Sequence, residues 1–328
     1  MGALALVSAV GLAVDDRILV GAPIWAKPFK FSVSFVAYAL SLAWMLSLLP
    51  RGRRTGWWAG TVVAVASAVE MVLITLQVVR GTRSHFNQAT PFDSAVFQIM
   101  GGTVVVLWLG ALVIALLLLR ARILDRATTW VVRLSSLIAL AGAAVGFLMV
   151  HPTPEQLTSD DPPIVGAHSV GVPDGGPSMP VTGWATTGGD LRVAHFFGMH
   201  ALQLLPLVLL ALTALASRSA HSPRLTRFAR LARLADERVR LRLALTASAV
   251  YAAVFVLLTW QALRGQALLA PDGATLAGAG AIALLGAAAT VFSFRRTSPG
   301  GPSPSPTPPS PTPPSPAPPT TPTEEFSA

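Results

Sequence analysis

Residues 57–79 read WWAGTVVAVASAVEMVLITLQVV, a run with a single charge, Glu70. A helix needs about 20 mostly apolar residues to cross a bilayer. This stretch meets that length and is fenced by arginines: Arg51, Arg53 and Arg54 before it, Arg80 and Arg83 after it. It reads as a membrane span, and the rest of the chain is read outward from it.

The same pattern recurs near residues 29–49, 94–119, 128–150, 194–216, 243–263 and 276–294. An eighth apolar stretch, 1–14, is short: at about 1.5 Å per residue it reaches about 21 Å, against a hydrocarbon core of about 30 Å. No Lys or Arg precedes it, so it reads as a first helix cut short by a misassigned start codon rather than as a signal peptide.

Composition agrees. Of 328 residues, 52% are hydrophobic and only 12% charged, with a mean hydropathy of +0.60; a soluble domain carries about a quarter charged residues. There is no cysteine, which excludes disulfides, thiolate metal sites and cysteine nucleophiles. The net charge is +9, yet the arginines do not form one solvated face with interleaved aromatics, so nucleic acid is not an expected partner. Abundant Arg, Ala, Gly and Pro point to a GC-rich bacterial genome, and hence to a multi-pass protein of the bacterial cytoplasmic membrane.

Cytoplasmic loops carry the excess of Lys and Arg. Placing Arg51–Arg54 inside and alternating puts sixteen of the 24 basic residues inside, seven outside, and Arg133 within a helix. The expected fold is therefore an all-α bundle of about eight transmembrane helices over residues 1–296, both termini cytoplasmic. Trp57, Trp58 and Trp130 fall at inner interfaces, Trp25 and Trp260 near outer ones.

Three segments are not spans. The outer loop 151–193 is rich in Gly, Pro and Asp but also holds His168 and Trp184, and reads as a lid or a solvated linker. Residues 218–242 place Arg224, Arg227, Arg230 and Arg233 three apart among apolar residues, the pattern of an amphipathic helix on anionic lipid. Residues 297–328 hold 13 of the 27 prolines and read as a disordered cytoplasmic arm able to dock a partner. Gly142 and Gly146, four apart, allow a neighbouring helix to approach closely.

Polar groups inside a membrane are costly and need a reason. Glu70 is the one carboxylate deep in a span, about 15 Å below the outer edge, with Gln77 two turns further along the same face. That face leads to Arg80, Arg83, His85 and Asn87. The sixth span mirrors it with Arg192, His195, His200 and Gln203; His151 ends the fifth and Gln98 begins the fourth. His195 and His200 are about 140° apart on a straight helix, so one ion does not easily bind both. Five of six histidines fall in the outer half. Lys27 and Lys30, the only lysines, start the second helix, where the macrodipole opposes cations, which points to a titratable amine facing an anion or to snorkelling.

These residues define an expected outward-facing His/Glu site. His85, His151, His195 and His200 are candidate ligands for haem or a transition metal serving redox chemistry. Glu70 and His200 are the candidate catalytic groups. Lys27, Lys30, Gln77, Arg80, Arg83, Asn87, Gln98, Arg192 and Gln203 are candidates for substrate binding. The alternatives are a proton-coupled transporter using Glu70, and a structural or regulatory membrane protein whose partners are lipid and whatever the proline-rich tail engages.

Overall fold

A computed structural model describes residues 1–123, 125–221 and 233–295. They form an all-α bundle: α1 Gly2–Val14, α2 Ala26–Ser47, α3 Arg53–Val79, α4 Pro91–Arg120, α5 Arg126–Leu148, α6 Leu191–Met199, α7 Ala201–His221, α8 Glu237–Leu263 and α9 Gly273–Ser293. The only strands among the described residues are two-residue pairs, Ile18–Leu19 with Ala22–Pro23 and Ser169–Val170 with Gly189–Asp190. Seven helices (α2, α3, α4, α5, α7, α8 and α9) are long and apolar enough to cross a membrane. The chain is thus a multi-pass membrane protein of helical-bundle type. The short α1 is not among the seven; its Met1 and Leu4 pack near Met71, Ile74 and Met100.

Local chemistry sets the helix ends. Thr90, Asp125, Asp190, Asp236 and Asp272 each accept a backbone N–H in the first turn of the helix they precede, satisfying donors a helix start leaves unpaired. Gly52 opens α3 at φ +74, a conformation that a side chain disfavours. Large apolar side chains cover the bundle surface; Val72, Leu284 and Leu285 are each about two-thirds exposed or more (66%, 74% and 71%). In lipid such exposure costs nothing, and association rests on close packing instead.

α5 is the central helix. It touches α4, α6, α7 and α8 and contributes to two apolar clusters, one with α6, α7 and α8 and one with α2, α3 and α4. Its closest approach is glycine on glycine: a Cβ on Gly142 would lie 2.6 Å from the Gly198 backbone of α6. The expected use of Gly142 and Gly146 for tight helix contact holds, since Gly146 lies under the His195 ring.

Two expectations need correction. The sixth span is not one helix over 194–216: it breaks at His200 into α6 and α7. Pro206 removes one backbone donor in α7. The Tyr251 hydroxyl donates to Phe197 O at 2.6 Å, the carbonyl that a continuous helix would pair with the N–H of residue 201. α5 stops at Leu148, so His151 lies beyond it, exposed. Of the expected basic helix 218–242, residues 222–232 fall outside the described residues; its flanks are the end of α7, a 3-10 turn at Arg233–Ala235 and the start of α8. The proline-rich arm 297–328 also lies outside them.

Candidate functional site

The connections α1–α2, α3–α4, α5–α6 and α8–α9 gather at one end of the bundle, termed here the lid end. Val165 N donates to Phe86 O at 2.9 Å, and Gln88 N to Pro163 O at 2.9 Å. Residues 149–190 are an ordered lid. Gln156 Oε1 accepts from Thr153 N (2.9 Å) and Gly166 N (2.8 Å). Asp174 accepts from His168 N, Ser169 N and the His168 ring. The linker reading of this loop is therefore the weaker one.

Two side chains hold the lid tip. Lys30 Nζ donates to Thr182 O at 3.1 Å and Val181 O at 3.3 Å. Arg192 Nη2 donates to Gly183 O at 2.6 Å while pairing with buried Asp190 at 2.5 Å. The second lysine, Lys27, stands apart. Its ammonium lies 5.8 Å from the Phe31 ring centroid, and no carboxylate among the described residues lies within ion-pair distance. The charges felt at Lys27 are those of Arg192, Glu70, Asp174 and Lys30.

Glu70 is buried on α3, facing α4, where the Thr103 hydroxyl donates to Oε1. Thr103 Oγ1 also lies 2.9 Å from Met100 O. One hydroxyl proton serves one acceptor at a time. An ionised Glu70 takes that proton. A protonated Glu70 donates to Oγ1 instead, and Thr103 turns its own proton to Met100 O. Both charge states of Glu70 are thus hydrogen-bonded without moving backbone.

The histidines divide. A ladder of rings runs from α2 to the lid: Phe31 to His85 (6.1 Å), His85 to Phe86 (6.1 Å) and Phe86 to His168 (4.8 Å). Burial pushes His85 well below the ordinary imidazole range, and Lys27 and His168 add to it. Burial also lowers His168, outweighing the hydrogen bond to Asp174. A neutral His168 then donates from Nδ1 to Asp174 Oδ2 at 2.8 Å. For Asp174, burial raises the pKa, but the hydrogen bonds from His168 and Ser169 prevail and hold it below the usual carboxylate range. His195 Nδ1 lies 2.8 Å from Gly142 O and donates to it. His200 Nδ1 meets Gln203 Oε1 at 3.2 Å, and Gln203 Nε2 reaches Ser41 Oγ of α2 at 3.0 Å.

Lys27 is thus the common point under the lid: Glu70 and Arg192 act on it, it acts on His85, and the lid itself contributes His168 and Asp174. The structure does not bring in the rest. Gln77 and Arg80 close a network on Asp93: Gln77 Nε2 donates to Oδ1 at 2.9 Å, Arg80 Nη1 at 2.5 Å, and Thr90 Oγ1 donates to Oδ2 at 2.7 Å. Asn87 ties its own loop through Thr82, Arg83 and Ala89. Gln98 and His151 are exposed, and Arg83 is half-buried on the α3–α4 connection. Among the described residues, no three His, Asp or Glu side chains stand as a metal ion requires.

Sequence reasoning passed over Thr103, Asp93 and Asp174. Asp93 had a signal, since Thr90-Pro-Phe-Asp93 has the spacing of a helix cap. Thr103 and Asp174 had none, because their partners are distant in the chain or in a loop. No protein family, curated protein or solved structure matches this chain.

Proposed function

We propose that the chain is a proton-coupled carrier for a small anion, set in a bacterial cytoplasmic membrane with the lid outside. One observation carries this reading: Lys27 and Glu70 act on each other electrostatically yet make no direct ion pair. An anion entering beside the Lys27 ammonium competes with the Glu70 carboxylate for that charge. Protonation of Glu70 removes the competing charge, so anion and proton load together. Thr103 keeps that carboxyl hydrogen-bonded in either charge state, so proton uptake leaves no buried polar group unpaired. Lys30 and Arg192 hold the lid shut over the loaded site, and their charge attracts the anion during entry.

The test uses the full chain in detergent, with sulfate, nitrate and succinate as probes at pH 6.5 and 8.5. An anion that binds raises the melting temperature, more strongly at pH 6.5. Glu70→Gln keeps the shift and loses its pH dependence; Lys27→Gln loses the shift. If both variants respond like the parent protein, the reading fails.

A second reading, redox chemistry at a haem or transition metal, draws on a different observation. His85, His168, His195 and His200 all make their ring hydrogen bond through Nδ1, and ligating imidazoles use the other nitrogen. A Soret band, or a stoichiometric metal lost in His200→Ala, would favour it over the carrier. A structural or regulatory protein is the third reading, favoured if changing His85, His195 and His200 together to Gln leaves behaviour unchanged.

A further inference from the structure

At the opposite end of the bundle, the α4–α5 connection and the starts of α5 and α8 border an open cleft of about 390 Å³. Arg122, Asp125, Arg126, Trp130, Arg133 and Glu237 line it. Its two acids already accept from other donors. Asp125 caps α5, accepting from Thr128 N at 2.8 Å and Thr128 Oγ1 at 2.6 Å. Glu237 accepts from Arg126 N at 3.3 Å. Among the described residues, none of the three guanidinium groups lies within ion-pair distance of a carboxylate.

Arg133 makes the cleft more than a solvated patch. It lies seven residues, about 10 Å, into α5 from Arg126. Its Nη2 donates to Ala121 O at 3.0 Å, but its Nε is buried with no partner. The half-buried guanidinium charge favours an anion placed beside it in the cleft. Arg126 stands in the first turn of α5, where the helix dipole disfavours a cation and favours an anion. Trp130, 40% exposed, lies beside the Arg133 guanidinium at 5.5 Å, as an aromatic anchor at headgroup depth does.

We infer that this cleft binds a phosphate group, supplied by an anionic phospholipid of the inner leaflet. The phosphate oxygens meet the exposed Arg122 and Arg126 head groups, Arg133 adds its charge from the cleft wall, and the acyl chains leave along Trp130. This site is independent of the lid-end chemistry.

The test uses the full chain in detergent with dioleoyl phosphatidylglycerol, dioleoyl phosphatidylcholine or inorganic phosphate at matched ionic strength. Native mass spectrometry reads lipid retention, and melting in phosphatidylcholine checks the fold. Phosphatidylglycerol is expected to bind about tenfold or more tightly than phosphatidylcholine, and the doubly substituted R122Q/R126Q protein to lose that preference. The control R51Q/R54Q removes two exposed charges outside the cleft and should keep it. Equal binding of the two lipids, or equal loss in the control, overturns the proposal. If inorganic phosphate stabilises the protein and R122Q/R126Q abolishes that effect, the ligand is a soluble phosphate and the lipid assignment falls.

Discussion

Gly142→Ala is the sharpest probe of how the site is held. The new Cβ would sit 2.6 Å from the Cα and carbonyl carbon of Gly198 and from Met199 N, all backbone atoms. Ordinary contact begins at 3.4 Å, so α5 and α6 must part by about 0.8 Å. The same movement stretches the 2.8 Å bond from His195 Nδ1 to Gly142 O beyond hydrogen-bond length. Overpacking of this kind costs about 1–3 kcal/mol, and the lost bond about 0.5–1.5 kcal/mol. The sum, about 2–4 kcal/mol, lowers the melting temperature by roughly 5–10 °C on the scaling of larger domains. Gly101→Ala is the matched control: it lies within α4 with nothing inside 4 Å of a Cβ, and alanine there is neutral or more stable by up to about 1 kcal/mol. Fluorescence-detected thermal denaturation of the detergent-solubilised chain measures both. If Gly142→Ala melts within 1 °C or so of Gly101→Ala, the backbone contact is not what holds α6, and the placement of His195 by α5 must be abandoned.

Other outcomes follow from the same geometry. Asp93→Ala leaves the Arg80 and Gln77 donors without their acceptor and should destabilise by about 1–3 kcal/mol, since Arg80 is part-exposed and regains water. Gln98→Ala, at an exposed position on the same helix, should stay within about 0.5 kcal/mol of the parent in the same denaturation assay. Thr103→Val removes the partner of Glu70 and should move the pH range over which anion stabilisation changes, while the anion still binds. Because His85 and His168 are held neutral below the ordinary value of 6.5, the unfolded or open state takes up more protons than the closed one. Closure of the lid is therefore fully favoured above pH 6.5 and weakens as pH falls below it. Limited proteolysis of residues 149–190 should accelerate between pH 7.5 and 5.5, and His85→Gln should flatten that response.

The spans were legible because lipid demands long apolar helices, and 57–79 or 94–119 can be nothing else. Position along each helix was legible too, since rise per residue is constant. Rotation was not. Gln77 and Glu70 share a helix face, yet Gln77 belongs to the Asp93 network and Glu70 to Thr103. The 194–216 stretch reads as one span, yet it breaks at His200, where Tyr251, far along the chain, takes the Phe197 carbonyl.

From sequence alone came the class of protein, the number of long spans, the basic bias of alternate loops and the polar character of one end. Those properties follow from hydrophobicity and period, which are local. The tertiary structure decided which polar groups meet. It set Lys27 near Glu70 without an ion pair, closed the lid through Lys30 and Arg192, and left Arg133 Nε unpaired in the opposite cleft. Each depends on how helices are turned against one another, and in a membrane that is set by close contacts such as Gly142 on Gly198.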